Sequence, residues 1–219
     1  MAAVDFSLIA EITLRTLWVS GSALVISLAI GIPIGILLGS RQFLGRTAFV
    51  SSVNAGMGAP PVVVGLLCVM LFWRSGPLGM FELAYSQTAM IIAQTLIALP
   101  LIVGITLAAV GSLPEEWDLQ VRTLGIGRFW RIWLLLREIR MGLLAAVSAG
   151  LGGILSEVGA VNMVGGNLEG HTRVLTTAIM MHTQMGDFET ALGLATVLIG
   201  MTLLLAGMLT AVQQSGRAR

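Results

Sequence analysis

Four stretches of this chain contain no charged residue, and each is long enough to cross a membrane as a helix. A helix needs about 20 residues to span roughly 30 Å of hydrocarbon. The four stretches cover residues 16–40, 47–73, 83–114 and 190–216. A fifth, residues 141–156, reaches that length only if the apolar run continues through Glu157 towards Val164. Only 11% of the residues are charged, against about 25% in soluble domains, so the pattern predicts a membrane protein.

We therefore predict an all-α membrane protein, a single domain over residues 1–219 with five transmembrane helices. The predicted spans are residues 16–40, 54–73, 86–111, 140–162 and 189–212. Five spans put the two termini on opposite sides of the membrane. Nine of the twelve arginines fall on the side that holds residues 112–139 and the C-terminal tail, and arginine-rich loops stay in the cytoplasm. The N-terminus is thus expected outside, and the C-terminus and residues 112–139 inside.

The cationic residues limit the chemistry that this chain can perform. All twelve are arginine. A P-loop needs a lysine that reaches the phosphates, and Schiff-base catalysis needs a lysine amine, so both are excluded. The net charge of +1 gives no signal for a nucleic-acid partner. We predict no ATP binding, and no other cofactor, in this chain itself.

Neither intramembrane catalysis nor metal binding has much support in the residues. An intramembrane enzyme needs an arrangement such as a Ser–His dyad or an aspartate pair, but Ser156 and Glu157 have no histidine near them in the same span. No aspartate lies within a predicted span. His171 and His182 are eleven residues apart, with nothing to complete a metal site. We predict no catalytic residue and no metal ligand.

Three predicted spans carry small residues at helical spacing, which allows close helix packing in lipid. The three stripes are Gly31, Gly35 and Gly39; Gly142, Ala146 and Gly150; and Gly193, Gly200 and Gly207. Packing within one subunit and packing between subunits both fit this pattern. In the second apolar stretch, the Ala59-Pro60-Pro61 run predicts a helix start, because proline suits the first helical turn.

The predicted cytoplasmic segment contains the signals for two short helices. The first is predicted from about Leu113 to Leu124, with Gly125 ending it in a left-handed conformation. The second is amphipathic and begins at Arg128. One interpretation is a basic loop that contacts anionic lipid. The other is a rigid knob that binds a cytoplasmic protein.

The run from Arg122 to Arg128 favours the second interpretation. Arg122, Thr123, Leu124, Gly125 and Arg128 resemble the EAA loop of ABC importer permeases, which fits a groove on the ATPase subunit. The resemblance implies that these five residues couple the chain to an ATPase. The flanks depart from the pattern. Leu-Gln-Val stands at residues 119–121, where the family has Glu-Ala-Ala, and Arg-Glu stands at residues 137–138, where it has Leu-Pro.

A second resemblance is longer and more specific. Residues 157–179, EVGAVNMVGGNLEGHTRVLTTAI, resemble tungstate-type ABC importer permeases, and molybdate permeases are similar. Residues 59–65, APPVVVG, resemble the same oxyanion subfamily. The resemblance implies a type I importer permease in a bacterial or archaeal cytoplasmic membrane. It also implies a homodimer, two cytoplasmic ATPase subunits that bind ATP and Mg²⁺, and an external binding protein that delivers tungstate, molybdate or another oxyanion.

The same stretch supplies the candidate residues for a translocation path or gate. They are Ser156, Glu157, Asn162, Asn167, Thr172 and Arg173. An ionisable group at membrane depth is a functional hypothesis by default. Because a carboxylate repels an anion, we expect Glu157 to have a structural or gating role, with a backbone or arginine partner. A solvated carboxylate just outside the membrane is the alternative.

The remaining candidates each have a plainer interpretation. The Gly165-Gly166-Asn167 turn can present N–H groups to an anion, or it can simply reverse the chain. Arg173 can contact an oxyanion or reach the membrane surface as a lipid-facing arginine. Thr172 is predicted to cap a following helix at the external membrane surface. The predicted apolar face of that helix contains Val174, Leu175, Ala178, Ile179 and His182.

Overall fold

The computed structural model describes residues 6–114 and 116–217, apart from the side chains at positions 6, 118, 122 and 215–217. This part of the chain forms ten α-helices and one short 3-10 turn (Gly79–Phe81). The helices are α1 (Phe6–Ser40), α2 (Arg46–Met57), α3 (Pro61–Phe72), α4 (Gln87–Gly111), α5 (Glu116–Thr123), α6 (Arg128–Glu138), α7 (Arg140–Ser156), α8 (Gly159–Gly165), α9 (Leu175–Gln184) and α10 (Phe188–Arg217). The described residues contain no β-strand.

Three of these helices are long and apolar enough to cross a membrane unaided: α1, α4 and α10. α1 begins ten residues before the predicted start of the first span. It runs parallel to α4, and its glycine stripe lies against that helix. Cβ atoms built on Gly31, Gly35 and Gly39 would lie 2.6–2.8 Å from the side chains of Ile102, Thr106 and Val110. The first small-residue stripe is therefore a packing surface within one subunit.

The second predicted span is a bent pair of helices. α2 and α3 meet at an angle of 104°, so the predicted span over residues 54–73 is made of two helices rather than one. Pro60 lies just before α3, and Pro61 is its first residue. Two successive prolines lack the N–H groups that would continue α2, and their rings clash with the preceding turn. The predicted helix start at this Pro-Pro run is confirmed.

The fourth predicted span is also interrupted. α7 ends at Ser156, and Glu157 and Val158 separate it from the seven-residue α8, so residues 140–162 are not one helix. At its other end α7 meets α6 at 66°. Its small-residue stripe packs on α4 within the subunit, since Cβ atoms on Gly142 and Gly150 would lie 2.3 Å and 3.0 Å from Ala109 and Ile102.

The third small-residue stripe meets no neighbouring helix in the part of the chain that the structure describes. Cβ atoms built on Gly193, Gly200 and Gly207 would meet nothing within 4 Å. Only 6% of the most apolar window of α10 is buried. Of the three stripes, that of α10 is therefore the one left open to lipid or to another chain.

The helices define two ends of the molecule. We call the end that holds the start of α4 and residues 166–173 the upper end, and the end that holds residues 41–45 and α5–α6 the lower end. At the upper end, the Gln87 amide donates to the His171 carbonyl at 2.8 Å. At the lower end, Leu135 and Ile139 of α6 and its junction with α7 pack with Val110 of α4. Candidate path and candidate coupling residues thus lie at opposite ends of the helical body.

Candidate functional site

The break between α7 and α8 is built around Glu157. This residue is only 8% exposed. Its Oε1 accepts a hydrogen bond from the backbone N–H of Ala160 at 2.8 Å. The N-cap position of α8 is Val158, which has no side-chain cap. The Glu157 side chain, one residue earlier, instead satisfies one of the free N–H groups in the first turn of the helix. Glu157 therefore has a backbone partner, and it holds the first turn of α8 after α7 has ended.

Side chains from two other helices satisfy the backbone groups that the break exposes. The Gln94 amide of α4 donates to the Ile154 carbonyl at 3.4 Å, at the end of α7. The Thr176 hydroxyl of α9 donates to the Glu157 carbonyl at 3.2 Å. Backbone groups at membrane depth need such partners, because no water is present to replace them. Sequence reasoning missed both residues, since each lies far from Glu157 along the chain.

α8 packs closely against α3. A Cβ built on Gly65 would lie 2.6 Å from the Ala160 Cα atom, and one built on Gly159 would lie 2.8 Å from the Val62 side chain. Glycine at both positions lets the backbones meet. The helix after the break in the fourth span thus packs on the helix after the break in the second span. A shift of α3 relative to α8 would therefore displace the helix turn that Glu157 holds.

Beyond α8, the chain reverses through a closed loop at residues 166–173. Gly166, Asn167 and Gly170 have φ values of 69°, 51° and 73°, the left-handed conformation that glycine and asparagine tolerate best. The Thr172 hydroxyl donates to the Gly165 carbonyl at 2.5 Å and accepts from the Leu168 N–H at 2.9 Å. Thr172 thus closes the loop as a buried cross-link. Its predicted role as a helix cap is wrong.

Arg15 of α1 holds this loop through hydrogen bonds to its backbone, a role that the sequence did not predict. Its guanidinium donates to the carbonyls of Arg173 at 3.1 Å and Gly170 at 2.8 Å, and it pairs with Glu11. The arginine side chain is 8% exposed. One planar group with several donors can bind two carbonyls and a carboxylate together. The only signal in the sequence was the isolated arginine before the first apolar stretch.

The other path candidates are dispersed around the break and the loop. Ser156 is exposed at the end of α7, and Asn162 is half-buried on α8. Arg173 pairs with Glu169 at 3.3 Å. Within the described residues, the Arg173 Nε and the Asn167 Oδ1 are buried without a hydrogen-bond partner. Five of the six candidates therefore form two groups, with Ser156 and Glu157 at the break and Asn167, Thr172 and Arg173 in the loop, and Asn162 lies between them on α8.

The helix that follows the loop begins after Val174. The predicted apolar face of α9 is confirmed for Leu175, Ala178 and Ile179, which pack with residues of α1 and α10. At its far end, His182 Nδ1 lies 3.0 Å from Asp187 Oδ2. The Thr190 hydroxyl and N–H hydrogen bonds lower the pKa of the Asp187 carboxyl. These contacts fix the turn between α9 and α10.

The candidate coupling residues lie on a two-helix knob at the lower end. α5 ends at Thr123, and Gly125 has a φ of 65°, so the predicted left-handed glycine is confirmed. The predicted start of α6 at Arg128 is also confirmed. Leu124 is 72% exposed, and Thr123 and Arg128 are exposed as well. Arg122 lies in α5, and its side chain falls outside the described part.

The knob presents apolar side chains outwards and is anchored from within. Phe129 and Trp130 are 77% and 59% exposed, and their rings meet edge to face. On the inner side, Leu135 and Ile139 are buried in one cluster with Val110 of α4. Exposed aromatic residues on a fixed element suit a protein interface. The anchoring joins that surface directly to α4.

Comparison with known proteins agrees with this architecture. The family model of binding-protein-dependent transport system inner membrane components matches residues 31–217. A probable anion ABC transporter permease protein of Haloferax volcanii is 38% identical over 205 residues, covering 91% of this chain and 88% of the relative. The tungstate uptake system permease protein TupB of Peptoclostridium acidaminophilum is also 38% identical, over 199 residues, covering 91% and 87%.

A solved structure shares the fold. A chain of the MetNI methionine ABC transporter, described as inward facing, superposes with a TM-score of 0.68 at 18% identity, covering 100% of this chain and 99% of the other. The helix arrangement is therefore that of a type I ABC importer permease. The family match over residues 31–217 shows that the chain belongs to the binding-protein-dependent transport system inner membrane component family, whose members are permease subunits rather than enzymes.

Proposed function

We propose that this chain is the membrane subunit of an ATP-driven importer for an oxyanion, with tungstate as the first candidate. The observation that carries the substrate class is the near-full-length similarity to two relatives, one named as an anion permease and one as a tungstate uptake permease. Molybdate is the alternative, because it carries the same charge on the same tetrahedral arrangement of oxygens. Selection between the two anions falls to the binding protein.

The knob of α5 and α6 is the proposed docking element for a cytoplasmic ATPase, which binds ATP and Mg²⁺. Its exposed residues, Leu124 and Phe129 among them, form the contact surface. Leu135 and Ile139 carry the movement into α4. Because α4 contacts α1, α2, α7 and α8, a displacement of the knob reaches both bent spans. This is the route by which ATP hydrolysis would open and close a path.

The upper end is the proposed external end, where the binding protein delivers its anion. The arginine distribution supports this orientation, with nine of twelve at the lower end or in the tail. The loop at residues 166–173 is held in one conformation by Thr172 and Arg15. A preformed loop suits repeated binding of a partner, since little ordering entropy is lost on contact.

The working unit is proposed to be a homodimer with two ATPase subunits. The open glycine stripe of α10 supports a contact between chains, because close helix packing in lipid needs small residues. A water-filled path between two copies would also let the exposed polar residues of the bent spans face water rather than lipid. The proposed location is a bacterial or archaeal cytoplasmic membrane.

Uptake by the reconstituted complex tests the proposal. The chain, its ATPase and its binding protein would be assembled in lipid vesicles, and tungstate uptake would be measured with ATP supplied on the ATPase side. We expect uptake to require ATP and the binding protein, and to be inhibited by molybdate more strongly than by chloride. Uptake that continues with a hydrolysis-deficient ATPase, or no uptake of either oxyanion, would contradict the proposal.

A further inference from the structure

One side of α2 carries a stripe of exposed polar residues. Thr47, Ser51 and Asn54 are spaced four and three residues apart, which places them on one side of a helix, and all three are exposed. Gly58 continues the same side after the helix ends. The helix has no fully buried residue.

The opposite side of α2 packs on the middle of α4. A Cβ built on Gly56 would lie 2.8 Å from the Pro100 ring, and one built on Gly104 would lie 2.5 Å from the Met57 sulfur. Pro100 is close to the midpoint of α4, which runs from Gln87 to Gly111. The contact therefore places the end of α2 near the centre of the membrane. Asn54 and Ser51 lie one and two turns below that level, towards the lower end.

The polar atoms of this stripe have no partner within the described part of the chain. Several hydroxyls in the helices donate to the carbonyl four residues earlier, as Ser52 of the same helix does to Ala48 at 2.9 Å and Thr202 does to Leu198 at 2.8 Å. Thr47, Ser51 and Asn54 make no such bond. An unpaired amide facing hydrocarbon is costly. The stripe is therefore expected to face water or another polar group rather than lipid.

The charges around α2 favour an anion at this surface. The sequence contains no aspartate or glutamate between Glu11 and Glu82. Arg41 and Arg46 stand at the lower end of the helix. Neutral hydroxyl and amide donors can bind the oxygens of an anion without holding it as tightly as an arginine pair would, which suits a path that must release its substrate.

α7 presents a matching exposed surface. Gly152 and Ser156 are exposed, and a Cβ built on Gly152 would meet nothing within 4 Å. Both α2 and α7 run antiparallel to α4. An α-helix turns by about 100° per residue. Given the positions at which α2 and α7 contact α4, the exposed stripes of both helices therefore point towards the same side of α4. One surface of the subunit thus combines the polar stripe of α2 with the end of α7 at the α7–α8 break.

From these observations, and resting on the proposed function, we propose that Thr47, Ser51 and Asn54 line the inner half of the translocation path and donate hydrogen bonds to the passing oxyanion. Asn54 is the deepest of the three. Its amide meets the anion after the anion has passed the level of the break between α2 and α3. The stripe assists passage and does not serve as a tight binding site.

Cysteine accessibility tests whether the stripe faces water. The Asn54→Cys variant, assembled with its partners in vesicles, would be treated with an anionic methanethiosulfonate reagent, with and without tungstate. The native Cys68 is 1% exposed, so it gives a low background. We expect Asn54→Cys to react, and tungstate transport to slow its labelling. The matched control is Phe49→Cys, on another side of the same helix, where the native side chain is 61% exposed; it should not react.

Uptake by a second variant tests whether the amide acts on the anion. Asn54→Leu keeps nearly the same volume and removes the donors, and we expect tungstate uptake to fall about tenfold, the effect of one hydrogen bond to a charged group. Ser52→Ala, whose hydroxyl bonds within its own helix, should retain normal uptake. An unreactive Asn54→Cys, labelling unaffected by tungstate, or normal uptake by Asn54→Leu would each overturn the inference. If the wild-type complex transports no oxyanion, the proposed function fails. Labelling of Asn54→Cys would then show only that the stripe faces water, and the assignment of an oxyanion to it would fail as well.

Discussion

Glu157 Oε1 and the backbone N–H of Ala160 are joined by a 2.8 Å hydrogen bond across the break between α7 and α8. The bond gives a structural reason for an acidic residue at this depth, because it holds the first turn of a short helix in the middle of a span. Loss of a side-chain hydrogen bond to the first turn of a helix costs about 1 kcal/mol. We therefore expect Glu157→Ala to lower the free energy of unfolding by that amount, measured by denaturation in detergent. Glu157→Gln keeps an acceptor oxygen and should lose less, so equal losses in the two variants would contradict this role.

The close contact between Gly65 and Ala160 predicts a strong effect of a single methyl group. A Cβ on Gly65 would lie 2.6 Å from the Ala160 Cα atom, so Gly65→Ala must separate α3 from α8. Overpacking of this kind costs about 1–3 kcal/mol, which a thermal melt in detergent would detect. Gly152→Ala is the control, since a Cβ there meets nothing within 4 Å. Equal melting temperatures for Gly65→Ala and the wild type would mean that the two helices are not in contact.

The contacts of Arg15 predict that a residue of α1 controls the order of the distant loop. Arg15→Ala removes the donors that bind the Gly170 and Arg173 carbonyls. We expect the amides of residues 168–173 to exchange with solvent deuterium about tenfold faster, because local opening becomes less costly. Hydrogen exchange followed by mass spectrometry measures this directly. Arg74→Ala, at an exposed arginine of the same end, should leave the loop unchanged, and identical protection in both variants would refute the role of Arg15.

Two exposed tryptophans provide a matched test of the docking surface. Trp130 on the knob and Trp18 on α1 are 59% and 63% exposed, so replacing either with alanine should change stability by less than about 0.5 kcal/mol. Trp130→Ala should weaken binding of the ATPase subunit at least about tenfold, the effect of losing an interface anchor. Trp18→Ala should not. Binding measured by surface plasmon resonance on detergent-solubilised protein distinguishes the two, and a loss for Trp18→Ala alone would place the docking surface elsewhere.

Features set by local sequence could be predicted well. Gly125 ends α5 in the left-handed conformation, and α6 begins at Arg128, because the signals for both are within a few residues. The start of α3 at Pro61 has the same kind of cause. Each prediction depended on the backbone properties of glycine or proline, which act whatever the surrounding structure contains.

Features set by distant contacts could not be predicted. Arg15 and the Arg173 carbonyl are 158 residues apart in the chain, and nothing near either residue indicates the other. Thr172 precedes a helix and therefore resembled a cap, but tertiary packing turns its hydroxyl back to Gly165. The 104° bend between α2 and α3 is a similar case. The Pro-Pro run predicts a helix start, whereas the angle depends on how α2 packs on α4 and α3 packs on α8.

The coupling of ATP hydrolysis to uptake in a Gly125 variant tests the central claim most directly. Gly125 has a φ of 65°, and a Cβ atom built there meets nothing within 4 Å, so Gly125→Val acts mainly by straining the backbone of the knob, by about 1–2 kcal/mol. Gly127→Ala, with an ordinary φ of −60° and equal space, is the matched control. In vesicles with both partners, we expect Gly125→Val to lose most ATP-dependent tungstate uptake and Gly127→Ala to retain it. Normal uptake by Gly125→Val would contradict the claim that this knob couples the ATPase to the membrane helices.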